Sequence, residues 1–235
     1  MFLYQPTSGY CYNSDSIFLY DFISKYKPKG KLLDVGCGVG IISLLLGRDF
    51  NIETTIIDKQ KVMLDYATMN FRLNSLEVKS YLEDFEKFET KDRFDFIISN
   101  PPFYSPDVRQ SKNTHINIAR YSHHLPIKEF IYKVKSILTP RGYFLFCYDA
   151  KQVDILLFYL KEVNLNVERL EFVYSKLDRE SKLVMIGARN SSKSMTQVLS
   201  PFIVFNDNNE YTSRAKDIFN RADTHSIKGD FEEQK

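Results

Sequence analysis

Apolar and polar positions follow two alternating rhythms along this 235-residue chain. Short apolar runs at 31–35, 54–57, 78–82, 94–99 and 143–148 predict buried strands. Between them, apolar residues recur at three- and four-residue spacing, which predicts helices. One covers 13–26, with Ser14 or Asp15 near its cap, and stops before Pro28 and Gly30. Another begins at 41–47, and the next carries Val62, Tyr66, Met69 and Leu73 on one buried face. A helix opened by Pro126 turns Ile127, Phe130, Ile131, Val134 and Leu138 inward. Val153, Leu156, Leu157 and Leu160 stripe a further helix, and 139–142 reads as a turn into the 143–148 strand. Segments 166–174 and 182–187, joined by a polar turn, predict an antiparallel hairpin. The polar residues from Asp223 onward predict a flexible tail, leaving one domain over 1–222. This βα alternation predicts an α/β fold, a doubly wound, mostly parallel seven-stranded sheet with an antiparallel edge hairpin.

In such sheets ligands bind at the carboxyl ends of the strands, and the chemistry-bearing residues of this chain fall there. After the 31–35 strand come Gly36, Gly38 and Gly40 at alternate positions, with Asp34 just before them and Cys37 among them. Glycines there allow a tight turn and close approach of a ligand to the backbone. The dinucleotide fingerprint places its third glycine one residue later. An acidic residue ahead of the turn suits a cationic cofactor better than a pyrophosphate, and S-adenosylmethionine fits. Asp34 is expected to hold its ammonium region and Asp58 its ribose hydroxyls. Asp84 is expected near its adenine amino group, although Glu83 is an alternative. Lys59 and Phe85, beside these carboxylates, and Asn100 complete the expected cofactor set. The pattern is Rossmann-like.

The 94–99 strand ends in Asn100-Pro101-Pro102-Phe103. Proline fixes φ and cannot donate to a sheet ladder, so these residues make a stiff shelf. An exocyclic amine on a base is a poor nucleophile because its lone pair is conjugated into the ring. Acceptance of its two N–H groups by the Asn100 side-chain oxygen and the Pro101 carbonyl would orient that lone pair towards a methyl donor. Phe103 would stack on the base.

Asp34–Gly40 with Asn100–Phe103 resembles the amino-methyltransferases of adenine N6, guanine N2 or glutamine N5. Gln5-Pro6, Gly9-Tyr10 and Asn13-Ser14-Asp15, with Ser200–Val204 and Glu210-Tyr211-Thr212, make the chain similar to the tRNA1(Val) (adenine-37-N6)-methyltransferase family over about residues 4–220. The resemblance implies methyl transfer to N6 of a tRNA adenosine, and an N-terminal segment, within 1–30, that closes over the cofactor. Only 33 residues precede Asp34, and no target-recognition insert or duplicated half is visible, which disfavours glutamine, DNA and two-domain rRNA acceptors. A non-catalytic RNA adaptor would be expected to carry a damaged shelf, and this one is intact.

Composition bounds the rest. Residues 109–193 carry 15 basic and 8 acidic side chains (+7), against 12 and 15 in 1–108 and 5 and 7 in 194–235. The excess begins directly after the shelf. Residues 104–124 form an expected loop in which Arg109, Lys112 and Arg120 are candidate RNA contacts. His115, His123 and His124 lie there without a carboxylate or Cys to complete a metal set. Cys11, Cys37 and Cys147 are too few and too scattered for a disulfide framework or zinc site. No apolar run reaches membrane-spanning length, so a cytoplasmic location is expected, and the resemblance implies a metal-free enzyme with tRNA as partner.

Overall fold

The computed structural model describes residues 1–7, 11–101 and 126–230. The first half contains β1 (Phe2–Gln5), α1 (Ser14–Ser24), β2 (Gly30–Val35), α2 (Ile41–Asp49), β3 (Ile52–Asp58), α3 (Lys61–Leu73), β4 (Lys79–Leu82) and β5 (Phe94–Ser99). The second contains α4 (Ile127–Ile137), β6 (Leu138–Asp149), α5 (Val153–Glu162), β7 (Leu165–Tyr174) and β8 (Ser181–Asn190). The short β9 (Gln197–Val198) and β10 (Phe202–Ile203) follow, then α6 (Ser213–Ala222) and β11 (His225–Lys228).

Strands β4, β3, β2, β5 and β6 lie side by side in parallel. β8 pairs antiparallel with β6, and β7 antiparallel with β8. The hairpin does not form the edge, because β9 and β10 both pair in parallel with β7. The sheet therefore has nine strands rather than the expected seven. The two extra strands are two residues long, too short for any period to show in the sequence.

Alternation along each strand sorts side chains onto two faces. Leu32, Phe96, Ile98 and Leu145 join a core under α1, α2, α3 and α6, while Leu33, Ile97, Phe144 and Phe146 join a core under α4 and α5. Asp21 and Glu171, both nearly fully buried, tie α1 and β7 to α6. Arg221 contacts Asp21 at 2.8 Å, Arg214 contacts Glu171 at 2.6 Å, and Lys25 contacts both.

The expected face of α3 is rotated. Val62 and Leu73 are 42% and 46% exposed, whereas Met63, Leu64, Tyr66, Ala67, Asn70 and Phe71 are buried. The centre of that face is a buried amide, which a count of apolar positions passes over. Leu138 is buried, as expected, but opens β6 rather than closing α4, and residues 139–142 lie within β6.

The polar tail is also corrected. β11 pairs in parallel with β1, Phe2 against His225 through Gln5 against Lys228. Gly229 then donates its N–H to the Gln5 carbonyl, and its own carbonyl accepts the Tyr66 hydroxyl at 2.7 Å. The strand forms through backbone hydrogen bonds while its side chains stay exposed, so no apolar pattern announces it.

Candidate active site

β2 delivers the chain into the glycine turn, and the turn is held from below by β3. The N–H groups of Gly36 and Cys37 both donate to the Ile57 carbonyl, at 2.9 and 3.2 Å. Gly38 donates to an Asp58 carboxylate oxygen at 2.9 Å, and Gln60 donates to the other at 2.8 Å. Asp58 thus pins the turn from the end of β3. Burial pushes its pKa up, opposed by the N–H groups of Gln60 and Gly38 and by the charge and backbone of Lys59.

Two glycines are required by geometry. Gly40 caps α2 at φ 80°, where a Cβ would lie 3.1 Å from that of Ala67. Gly36 sits at φ 67° with open space where a Cβ would project, so the backbone itself forms a wall of the cleft. Asn70, fully buried on α3, links this turn to the N-terminus. Its Nδ2 donates to the carbonyls of Val39 (2.9 Å) and Tyr4 (3.0 Å), and its Oδ1 accepts the Tyr4 N–H at 2.7 Å.

Asp34, Gly36, Cys37, Gly38 and Asn100 line one cleft, joined by Tyr12 and Ser16 from the N-terminal segment. Asp34 is 2% exposed, and its Oδ2 has no hydrogen-bond partner. Burial raises its pKa to about 7, partly offset by hydrogen bonds from Ser43. A buried carboxylate oxygen without a partner, beside a bare glycine backbone, fits the ammonium end of S-adenosylmethionine.

Asn100 stands at the tip of β5 between two groups the sequence reading passed over. Its Nδ2 donates to Ser16 Oγ at 3.1 Å, and its Oδ1 accepts from Cys147 Sγ at 3.0 Å. Burial first, then the Asp15 charge, pushes the Cys147 thiol well up, so it remains a protonated donor. Ser16 sits one turn inside α1, whose cap is the Asn13 side chain accepting the Asp15 N–H. The amide is therefore held from both sides with an Oδ1 lone pair left over. Neither partner could be read from the chain, because Ser16 looks like an ordinary helix residue and Cys147 like core.

The remaining expected residues are more distant. Asp84 follows β4 and accepts the Glu86 N–H at 3.3 Å, outside the residues lining the cleft. The Phe85 ring is committed to the core, edge-on to Phe130 at 5.3 Å, and so does not offer a face to an adenine. Pro101 is buried at the end of the shelf. Pro102, Phe103, Arg109, Lys112 and Arg120 lie outside the described residues, as do His115, His123, His124 and Gly9-Tyr10.

Comparison with known proteins shows the family. The family model described as methyltransferase small domain matches residues 13–153, more than half of the chain. A tRNA1(Val) (adenine(37)-N6)-methyltransferase of Cytophaga hutchinsonii is 30% identical over 204 residues, covering 80% of this chain and 79% of the relative. A ribosomal RNA small subunit methyltransferase C of Haemophilus influenzae is 44% identical over 80 residues, 33% of this chain and 24% of that protein. Among solved structures, a predicted O-methyltransferase from Agrobacterium tumefaciens superposes with a TM-score of 0.69 at 13% identity, covering 91% of this chain and 99% of the other.

Proposed function

We propose that this chain, which belongs to the methyltransferase small domain family and takes its methyl group from S-adenosylmethionine, modifies the exocyclic N6 of an adenosine in tRNA. The acceptor is position 37 in the anticodon loop, where a partly unstacked base costs less to extrude than one in a duplex. The observation that carries the reading is the amide of Asn100, clamped by Ser16 and Cys147 at the edge of the cleft that holds Asp34. The similarity over 80% of the chain to a tRNA adenine-N6 enzyme supports the choice of acceptor.

The cofactor supplies an electrophilic methyl group on a sulfonium. This chain's residues do the rest by positioning. Asp34 receives the ammonium and the bare backbone at Gly36 admits the ligand. Asp58, oriented by the backbone N–H groups of Gly38 and Gln60, accepts ribose hydroxyls. Asn100 Oδ1 and the Pro101 carbonyl accept the two N–H groups of the target amine, leaving its lone pair to face the methyl donor.

A guanine-N2 acceptor in ribosomal RNA is the second reading, favoured by the 44% identity over 80 residues to the small-subunit enzyme. Incubation with labelled cofactor and either unmodified tRNA or unmodified small-subunit ribosomal RNA, followed by digestion and nucleoside mass spectrometry, separates them. N6-methyladenosine in a tRNA is expected. Label appearing as N2-methylguanosine in ribosomal RNA, with none in tRNA, would replace the first reading with the second.

A further inference from the structure

We propose that the open groove between the end of β6 and the β7–β8 turn is a second contact for the RNA substrate and takes its backbone phosphates. This deepens the RNA reading above and rests on it. Four cations line the groove: Lys151, just past β6, and Lys176, Arg179 and Lys182 around the turn, with Phe205 beside them. These are part of the basic excess that sequence alone could not place, and they come together only because the strands pair.

Topology puts the groove on the rim that carries Asn100. β6 is parallel to β5, with Ser99 against Phe146, so the end of β6 projects past the catalytic amide. Asp149 at that end pairs with Leu183 of β8, and β7 runs antiparallel to β8, so its end and the following turn face the same way. β7 is three strand spacings from β5, about 14 Å at the usual interval. An RNA whose target base enters the cleft would thus carry neighbouring phosphates across this groove.

The groove's acids do not cancel it. Glu180 approaches Lys151 at 3.8 Å and Asp178 approaches Arg179 at 3.9 Å, and all four side chains are at least 69% exposed. Pairs that long and that wet contribute little and yield readily to a polyanion. Phe205 stacks on Tyr211 at 4.8 Å, and Tyr211 is 41% exposed, which adds a flat surface beside the cations. Long, solvated side chains suit a repeating polyanion better than one small anion, which needs a buried cradle.

The test is the double charge reversal Lys176→Glu/Arg179→Glu, read by equilibrium binding of unmodified tRNA over a salt series. Cofactor affinity and melting temperature serve as fold controls. Lys29→Glu/Lys79→Glu places the same charge change at the opposite, amino end of the sheet. The groove variant should weaken tRNA binding about tenfold or more and flatten the log–log salt slope by about two, with cofactor affinity unchanged. The control pair should move tRNA affinity less than threefold or so. Should the reversal disturb folding, Lys151→Ala/Lys182→Ala asks the same question with smaller changes.

Equal affinity and slope in wild type and groove variants would overturn the groove while leaving the RNA reading intact. A wild type that binds and methylates no RNA would overturn both. Inorganic phosphate that competes with tRNA at millimolar concentration and constant ionic strength would mark a small-anion site and overturn the assignment to RNA backbone.

Discussion

The roles proposed for Asn100 and Asp34 separate acceptor from cofactor at the level of single side chains. Asn100→Ala removes the proposed acceptor of the target amine but leaves the glycine turn and Asp58 untouched, since its partners are Ser16 and Cys147. Turnover should fall by about a hundredfold or more while cofactor affinity changes little. Ser16→Ala, which loosens the amide without removing it, should cost roughly tenfold in kcat. Steady-state kinetics beside calorimetric cofactor titration checks both, and retained turnover in Asn100→Ala would remove the hydrogen-bond role. Asp34 has a pKa raised to about 7 by burial, above its unfolded value. The folded, cofactor-free protein therefore holds more protons than the unfolded chain between about pH 4 and 7, and this group's contribution to stability falls as pH rises through that window. In the proposed binding mode the arriving ammonium stabilises the carboxylate. Cofactor binding at about pH 6 should then release close to one proton, seen as a dependence of calorimetric enthalpy on buffer ionisation. Asp34→Asn should abolish the release and weaken binding.

At the scale of elements, the cleft depends on pieces distant in sequence. β11 pairs with β1, and Asn70 ties β1 to the glycine turn. Tyr12, which lines the cleft, shares hydrogen bonds with Gln5, Thr224 and Ser226. Ending the chain after Asp223 removes β11 along with Thr224 and Ser226. The loss of a short ladder and these side-chain bonds, about 2 kcal/mol net, should lower the melting temperature by roughly 4–8 °C. It should also weaken cofactor binding, because the Tyr12 hydroxyl loses Thr224 and Ser226 and only the Gln5 contact to its backbone remains. Unchanged cofactor affinity in that truncation would show that the strap is not part of the site. The long elements were legible in the chain: β5 was expected at 94–99 and lies at Phe94–Ser99. α3 was misread because Asn70 is polar and buried, and β9, β10 and β11 were missed because two to four residues of mostly backbone pairing leave no side-chain period.

For the whole molecule, the excess of 15 basic over 8 acidic residues in 109–193 acquires a direction. Lys151, Lys176, Arg179 and Lys182 gather at the carboxyl rim that also carries the cleft lined by Asp34 and Asn100, so the proposed cofactor, base and phosphate contacts all lie on one side of the sheet. No helix among the described residues is long and apolar enough to cross a membrane. Buried Asp21 and Glu171, with their partly exposed partners Arg221 and Arg214, hold α6 against α1 and β7, beside the half of the core that supports the cleft.

By itself the sequence determined the α/β sheet and placed Asp34, Asp58 and Asn100 at the carboxyl ends of its strands, because strand periods, glycine turns and proline stops are local. Tertiary structure alone decided which groups hold Asn100 in place, how the two chain ends lock the glycine turn, and where the basic residues meet. Those depend on strand order and register, which bring together residues as far apart as Ser16, Asn100 and Cys147. No local pattern carries that information.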